Sequence, residues 1–230
     1  MTRSIIVTGG FGVLGHVVAA AFAAQGDKVA RIDFAPAPHE TIPGSLDIGG
    51  VDLTDSAATQ AAIDKVVAAH GGIAVLVNVA GGFIWETLED GSLASWAKMQ
   101  AMNLTTCVTM TKLALPHLIK AGSANGGGRI VNIGAGAALK AGMGMGAYTA
   151  SKSGVHKLTE ALAEEVAAKG VTVNAVLPSI IDTPTNRADM PDADVSQWVK
   201  PEAIADVILF LASQAARSVT GALVPITRGA

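Results

Sequence analysis

Tyr148 and Lys152 are the residues of this sequence whose types and spacing point most directly to chemistry. Tyr148 is the only tyrosine, and the two residues form a Y-x-x-x-K pattern at the start of a helix-forming run. Positions i and i+4 share a helix face, so the phenol and the ammonium can face one site. A neighbouring cation lowers a tyrosine pKa, and such a phenol can transfer a proton near neutral pH. The pattern therefore indicates an acid–base pair, although it also occurs on solvated helix faces.

A glycine-rich turn near the start of the chain indicates a nucleotide site. The spacing Gly10-x-Gly12-x-x-Gly15 follows a short apolar run typical of a buried strand and precedes a helix-forming run. Such glycines allow the backbone to approach a pyrophosphate, and the helix N-terminus provides N–H donors. Asp33 ends the next apolar run, about 20 residues further on, where its carboxylate can bind an adenosine ribose hydroxyl. Because this carboxylate would repel a 2′-phosphate, we expect NAD(H) to be favoured over NADP(H).

Further motifs occur in the same order as in the short-chain dehydrogenase/reductase superfamily, which the chain resembles over nearly its whole length. They are Asp52-Leu53, Asn78-Val79-Ala80-Gly81, Met102-Asn103-Leu104 and Pro178-Ser179-Ile180-Ile181-Asp182-Thr183. The resemblance implies that Tyr148 donates or accepts the proton and that Lys152 lowers its pKa and holds the nicotinamide ribose. It implies that Asn103 supports a water-linked proton path. It assigns cofactor contacts to Gly9, Gly10, Phe11, Gly12, Val13, Leu14, Gly15, Asp33, Asp52, Leu53, Val79, Ala80, Gly81, Ile133, Tyr148, Lys152, Pro178, Ser179, Ile181 and Thr183.

Two positions depart from the family pattern. Val13 stands where the cofactor turn usually has a small residue, so it adds bulk near the pyrophosphate. Ala135 stands 13 residues before Tyr148, where the family usually has the serine that polarises the substrate carbonyl. Losing one such donor lowers a rate by roughly 10²–10³. Either another group supplies the hydrogen bond or the substrate is already electrophilic.

A narrower resemblance, to the dihydropteridine reductase branch, bears on the missing serine. Segments 79–82, 134–139 and 182–187 are similar to that branch, which also lacks the serine, prefers NADH and reduces a quinonoid C=N system. Three functions therefore stay open. The first is an NAD(H)-dependent oxidoreductase acting on a small carbonyl, alcohol or imine. The second is a quinonoid dihydropteridine reductase, and the third is an NAD(H)-binding sensor without turnover, against which the intact Tyr148, Lys152 and Asn103 weigh.

Composition favours one compact domain spanning residues 1–230. The chain is 50% hydrophobic and has no composition break or internal repeat. Its net charge of −3 argues against a general nucleic-acid binder. We expect no signal peptide and no membrane span. The single cysteine, Cys107, suggests a buried thiol in a reducing cytoplasm, and the five histidines have no metal-ligand spacing.

Alternating patterns predict an α/β fold, a single Rossmann-type doubly wound parallel sheet with helices on both faces. Strands are predicted near 4–8, 28–33, 48–52, 73–78, 129–133, 171–176 and 222–226, and helices near 13–25, 56–70, 94–121, 149–169 and 202–213. Ligands of such folds bind at the carboxyl ends of the strands. Ala135, Phe83, Met145, Met190 and Trp198 are the candidates for the substrate pocket, with core or interface packing as the alternative for Phe83, Met190 and Trp198. Residues 180–198 are long for an ordinary connection and are a candidate substrate lid.

The family resemblance also implies a homo-oligomer, a tetramer or otherwise a dimer. The two helices predicted at 94–121 and 149–169 would pack against a partner. Their small residues Ala101, Ala114, Ala161 and Ala163 would allow the close approach.

Overall fold

A computed structural model of the protein describes residues 2–39, 41–124 and 127–228. The strands are β1 Ser4–Thr8, β2 Lys28–Ile32, β3 Leu46–Ile48, β4 Val75–Asn78, β5 Gly128–Ile133, β6 Val171–Pro178 and β7 Leu223–Ile226. The helices are α1 Val13–Ala24, α2 Ser56–His70, α3 Leu93–Met99, α4 Thr106–Ala124, α5 Gly146–Val166, α6 Pro184–Asp189 and α7 Pro201–Leu211. Among the described residues, no helix has the length and apolar character that a membrane span needs.

The seven strands form one parallel sheet in the order β3-β2-β1-β4-β5-β6-β7. This arrangement confirms the predicted Rossmann-type α/β fold. The chain order reverses beside β1, where strands β1 and β4 become neighbours. Since ligands of open parallel sheets bind at the carboxyl ends of the strands next to such a reversal, the predicted motifs lie at the expected edge.

Alternate residues of the strands are buried on opposite faces of the sheet. In β1, Ile5 and Val7 pack with α1 and α7, whereas Ile6 packs with α2, α4 and α5. Both faces are therefore covered by helices, which explains why the strands are almost continuously apolar. The predicted buried helix position of Cys107 is confirmed, and burial raises the pKa of its thiol to about 12.

Strand β3 lies earlier in the chain than the predicted strand at 48–52. It ends at Ile48 because Gly49 and Gly50 turn the chain out of the sheet. Gly50 has a φ of +72°, in the left-handed region that favours glycine, and a Cβ at Gly49 would lie 2.3 Å from the Ala37 nitrogen.

The helix predicted at 94–121 is divided into three parts. A π-helical segment, Gln100–Thr105, separates α3 from α4. Such segments insert an extra residue into a turn and often occur at functional sites. Here the insertion contains Asn103, which is buried.

The predicted lid region contains two short helices that the sequence analysis did not predict. α6 begins after Thr183, whose hydroxyl accepts a hydrogen bond from the Asn186 N–H at 3.1 Å, and Pro184 occupies its first turn. A short 3₁₀ segment follows at Val195–Gln197. The Thr183-Pro184 pair is a typical helix start, and α6 could have been predicted from it.

Candidate active site

The glycine turn between β1 and α1 is packed through backbone atoms. A Cβ at Gly15 would lie 2.1 Å from the Gly9 carbonyl oxygen, and one at Gly9 would lie 2.9 Å from the Ala80 backbone. Gly12 has no side chain that could cap α1, so within the described residues no capping side chain accepts from the amides of its first turn. This arrangement fits a nicotinamide dinucleotide, because a pyrophosphate binds to uncapped amides at a helix N-terminus.

Arg31 contacts the glycine turn through its guanidinium, and this contact was not predicted from the sequence. It lies on β2 and is buried, with an ion pair to Asp47 at 2.5 Å. Its guanidinium also donates to the Gly10 carbonyl at 3.4 Å and lies 5.2 Å from the centre of the Phe11 ring. A cation inside an otherwise apolar strand was the available signal. Because Asp47 neutralises Arg31, this cation is already paired inside the protein.

Asp33 lies at the carboxyl end of β2, beside the turn. Its carboxylate accepts hydrogen bonds from the Phe11 N–H and the Ala35 N–H, each at 3.0 Å. The acid therefore belongs to the same surface as the glycine turn. Asp52 lies further out and accepts from the Thr54 hydroxyl and N–H, which lower the pKa of its carboxyl, while Leu53 is buried.

The side chain of Val13 lies at the surface beside the turn. It is 43% exposed and borders a cavity of about 310 Å³ between α1 and the segment after β6. Thr183 and Pro184 line the same cavity. The expected bulk at Val13 therefore lies between the cofactor turn and the segment that follows β6.

The segment after β4 lies between the turn and the candidate catalytic residues. The Thr8 hydroxyl accepts hydrogen bonds from the Val79 and Ala80 N–H groups, both at 3.1 Å. A Cβ at Gly81 would lie 2.6 Å from Asn103 Oδ1 and 3.2 Å from Lys152 Nζ. Gly81 thus brings Asn103 and Lys152 close to the end of β4.

Asn103 holds this segment with both ends of its amide. Its Oδ1 accepts from the Gly82 N–H at 2.9 Å, and its Nδ2 donates to the Gly82 carbonyl at 3.1 Å. The Nδ2 also donates to Ser151 Oγ at 3.0 Å, whose hydroxyl donates to the Tyr148 carbonyl. Asn103 therefore links the β4 segment to α5, and its part in a proton path stays a prediction.

Lys152 is buried beside the end of β5. Its ammonium donates a hydrogen bond to the Ile133 carbonyl at 2.8 Å. Burial lowers the pKa of Lys152 to about 8 and raises the pKa of Tyr148 to about 12. The ammonium binds the Ile133 carbonyl and burial of the phenol dominates the pKa of Tyr148, so the expected lowering of this pKa by Lys152 stays a prediction.

His156 binds the backbone of Ala135, the residue that stands where the family usually has a serine. Its Nε2 accepts a hydrogen bond from the Ala135 N–H at 3.2 Å, and a Cβ at Gly134 would lie 2.5 Å from the same nitrogen. Burial lowers the pKa of His156, which favours the neutral ring that this hydrogen bond needs. The Ala135 N–H is therefore not a free donor for a substrate. The role of His156, which lies on α5 one turn after Lys152, was not predicted from the sequence.

The residues predicted for the substrate pocket differ in their surroundings and exposure. Phe83 packs edge-on against Tyr148, with ring centres 4.9 Å apart, and Met145 immediately precedes α5. Met190 follows α6 and is half-buried. Trp198 is only 5% exposed, which favours core packing for this residue, and its place in the pocket stays a prediction.

The segment after β6 lies at the same edge of the sheet. Pro178 ends the strand, the Ser179 N–H donates to the Ile226 carbonyl at 2.9 Å, and Ile181 forms a bridge with Val199. Arg187 pairs with Asp182 at 2.6 Å. Within the described parts of the chain, no three His, Cys, Asp or Glu side chains are grouped as metal ligands.

Comparison with known proteins identifies the family. Residues 3–194 match the family model of the short chain dehydrogenases. The chain belongs to the short-chain dehydrogenase family. The dehydrogenase is 32% identical to the 2,5-dichloro-2,5-cyclohexadiene-1,4-diol dehydrogenase of Sphingobium indicum, over 97% of this chain and 94% of that protein. It is 33% identical to the D-threitol dehydrogenase of Mycolicibacterium smegmatis, over 97% and 91% of the two chains.

A solved structure has the same architecture. The ligand-free aldohexose dehydrogenase of Thermoplasma acidophilum superposes with a TM-score of 0.88 and 28% sequence identity, over 99% of this chain and 93% of that one. The dehydrogenase is therefore an oxidoreductase of a family that uses nicotinamide cofactors. Its site combines an uncapped glycine turn with a phenol, a buried ammonium and an asparagine at one edge of the sheet.

Proposed function

We propose that the protein transfers hydride between NAD(H) and a small organic C=O/CH–OH or C=N group, with Tyr148 as the acid–base residue. The observation that carries the proposal is the meeting of Asn103, Lys152 and the Gly81–Gly82 backbone beside Tyr148, at the edge that also holds the glycine turn. A bound nicotinamide supplies or accepts the hydride.

The protein's own residues handle the proton. In the reducing direction the Tyr148 hydroxyl donates its proton to the oxygen or nitrogen of the substrate while the neighbouring carbon gains hydride, which gives an alcohol or amine. Tyr148 then recovers a proton from solvent, and Lys152 stabilises the transient phenolate by its charge. In the oxidising direction the same steps run in reverse. The position of Ala135 contributes no hydroxyl, so Tyr148 is the one side-chain donor that we assign.

We infer that NADH is favoured over NADPH. The Asp33 carboxylate lies beside the Phe11 N–H, where it supports a ribose hydroxyl and repels a 2′-phosphate. Arg31, whose guanidinium contacts the Gly10 carbonyl and the Phe11 ring, is paired with Asp47 and buried. Its charge is thus compensated, which supports the same preference.

Quinonoid dihydropteridine reduction is the second candidate. It is supported by Ala135, because a strongly electrophilic C=N group needs no second donor, and the Ala135 N–H is already bound to His156. The curated relatives act on a chlorinated ring diol and on an open-chain polyol, so their names favour neither candidate.

Steady-state oxidation of NADH tests the proposal. We expect turnover with members of a carbonyl panel, loss of turnover when Tyr148 is replaced by Phe, and retained NADH binding. Turnover restricted to a quinonoid pterin would favour the second candidate. NADH binding without turnover on any carbonyl, imine or quinonoid pterin would reject the proposal in favour of a non-catalytic NAD(H)-binding protein.

We also propose a cytoplasmic homo-oligomer, a tetramer or otherwise a dimer, in which α4 and α5 contact a partner. Two of the small residues expected at that contact are excluded, because Ala114 and Ala163 are buried in the core of the same chain. Ala161 is exposed and stays available. Light scattering that finds a stable monomer at micromolar concentration would reject the assembly.

A further inference from the structure

The surface beside Tyr148 is apolar to an unusual degree. We define the apolar rim as Phe83, Trp85, Leu139, Met143 and Met145, which lie on the two segments that flank Tyr148. Phe83 is 52% exposed, Trp85 54%, and Leu139 and Met143 are more exposed still. Large exposed apolar side chains gathered in one place typically mark a binding surface.

The two flanking segments have almost no polar side chains. Residues 79–86 contain one charged residue, Glu86, and residues 134–147 contain one, Lys140; neither segment contains Ser, Thr, Asn, Gln, Asp or His. The Glu86 carboxylate accepts from the Ser92 N–H at 3.2 Å. The rim thus offers a substrate few hydrogen-bond partners besides the Tyr148 hydroxyl.

The aromatic residues of the rim are held in place. Asn103 binds Gly82, next to Phe83, through two hydrogen bonds. At the other end the Glu86 N–H donates to the Gly144 carbonyl at 2.9 Å, and a Cβ at Gly144 would lie 2.2 Å from the Trp85 ring. Since both ends are fixed, the rings form a surface that is already arranged before a ligand binds.

Several polar side chains across the site are already engaged with each other or with the backbone. In the segment after β6, Arg187 pairs with Asp182, and the Asn186 amide donates to the Ile181 carbonyl at 2.7 Å. A substrate with many hydroxyl groups would leave water for a surface that cannot replace its hydrogen bonds. Each buried, unpaired polar group costs about 1–3 kcal/mol.

We infer that the substrate is an uncharged carbonyl or alcohol whose reacting carbon is part of an apolar ring, and not a polyol or sugar. This inference rests on the proposed function. The ring would pack on the faces of Phe83 and Trp85, because aromatic side chains bind flat apolar groups with little loss of side-chain freedom. In the reducing direction the ring ketone gains hydride at carbon and the Tyr148 proton at oxygen, and a ring alcohol leaves.

The test compares kcat/KM for cyclohexanone and dihydroxyacetone at saturating NADH. We expect the protein to favour cyclohexanone by about 10-fold or more. Phe83→Ala should lower kcat/KM for cyclohexanone about 10-fold and change the value for dihydroxyacetone much less, since only the ring loses contact area. Trp85→Leu, which keeps an apolar side chain but removes the ring, should have the same pattern with a smaller effect.

Phe210→Ala is the matched control. Phe210 is 49% exposed, close to the 52% of Phe83, but it lies on α7. Replacing it with Ala should therefore leave both kcat/KM values within about twofold of the unaltered protein. A preference for dihydroxyacetone, or an equal loss for both substrates in Phe83→Ala and Trp85→Leu, would overturn the apolar-ring inference while the proposed hydride transfer stands. Failure to reduce either ketone, an imine or a quinonoid pterin with NADH bound would overturn the proposed function as well.

Discussion

The glycine turn and the catalytic cluster lie at the same edge of the sheet but are built in different ways. The turn is one continuous stretch from β1 to α1, in which backbone atoms pack directly on each other around Gly9 and Gly15. The cluster joins side chains from distant parts of the chain, and hydrogen bonds of Asn103 and Lys152 connect them. An added atom at Gly9 or Gly15 should therefore disrupt the turn, whereas the cluster should fail when a proton donor is lost.

Tyr148→Phe should have the largest effect on catalysis. The variant removes the proton but keeps the ring that packs against Phe83. Turnover should fall by roughly 10²-fold or more, as for a lost general acid. NADH binding and the melting temperature should change little, because the turn is untouched. Near-normal turnover on the best substrate would show that Tyr148 is not the acid.

The state of Tyr148 in the unliganded protein can be observed directly. It is the only tyrosine, so tyrosinate absorbance reports this residue alone. Burial raises its pKa from 10.0 to about 12, and the absorbance should therefore rise only above the pH range of an ordinary tyrosine. Because the folded pKa is the higher one, the corresponding stabilisation is present below pH 10.0 and is lost as the pH rises toward 12. Tyrosinate near pH 8 would instead indicate that Lys152 lowers the pKa.

Gly15→Ala tests the packing of the turn. The added Cβ would lie 2.1 Å from the Gly9 carbonyl oxygen, so the backbone must move. The free energy of unfolding should fall by about 1–3 kcal/mol. Gly12→Ala is the control, because a Cβ there would meet the same oxygen at 3.5 Å, an ordinary contact. If thermal unfolding without ligand found the two variants equally stable, close packing would not explain Gly15.

This difference in construction explains how much the sequence could predict. Gly9–Gly15, Asp33 and the Tyr148–Lys152 pair are local patterns, and each lies at the predicted edge of the sheet. The fold class followed from the alternation of apolar strands and helices, which depends on neighbouring residues only. The local order of residues was therefore sufficient to predict the parallel sheet and the position of the glycine turn.

Features that depend on distant contacts were not predictable in this way. Arg31 is stable in the interior because Asp47 pairs with it, and His156 matters because Gly134 leaves space for its ring. Asn103, in the π segment, binds Gly82 through two hydrogen bonds, and Trp198 is buried just before α7. Each of these depends on a partner that sequence spacing does not reveal.

Asp33→Asn should alter cofactor choice more modestly. The variant keeps an oxygen that can accept from the Phe11 N–H but removes the negative charge. The dissociation constant of NADPH divided by that of NADH should fall by about 10-fold, mainly because NADPH binds more tightly. Calorimetric titration of both cofactors measures the ratio. Tighter NADPH than NADH binding in the unaltered protein would refute the assigned role of Asp33.

Ala135→Ser should have the smallest effect and is the most informative about the substrate. The added hydroxyl would stand 13 residues before Tyr148, where the family resemblance implies the serine that polarises the substrate carbonyl. A simple ketone should gain from a second donor, because such donors stabilise the developing charge. A quinonoid or otherwise activated group should gain little, since its transition state needs less stabilisation.

The measured quantity is the ratio of kcat/KM for a simple ketone to that for an activated substrate, in the unaltered protein and in Ala135→Ser. We expect this ratio to rise several-fold, well below the roughly 10²–10³ that a fully aligned donor provides. The gain is limited because His156 fixes the Ala135 backbone, so the new hydroxyl cannot move freely toward the oxygen. An unchanged ratio, with normal NADH affinity and melting temperature, would mean that another donor already serves the carbonyl. The Ser179 hydroxyl and the Gly136 N–H are the groups to test in that case.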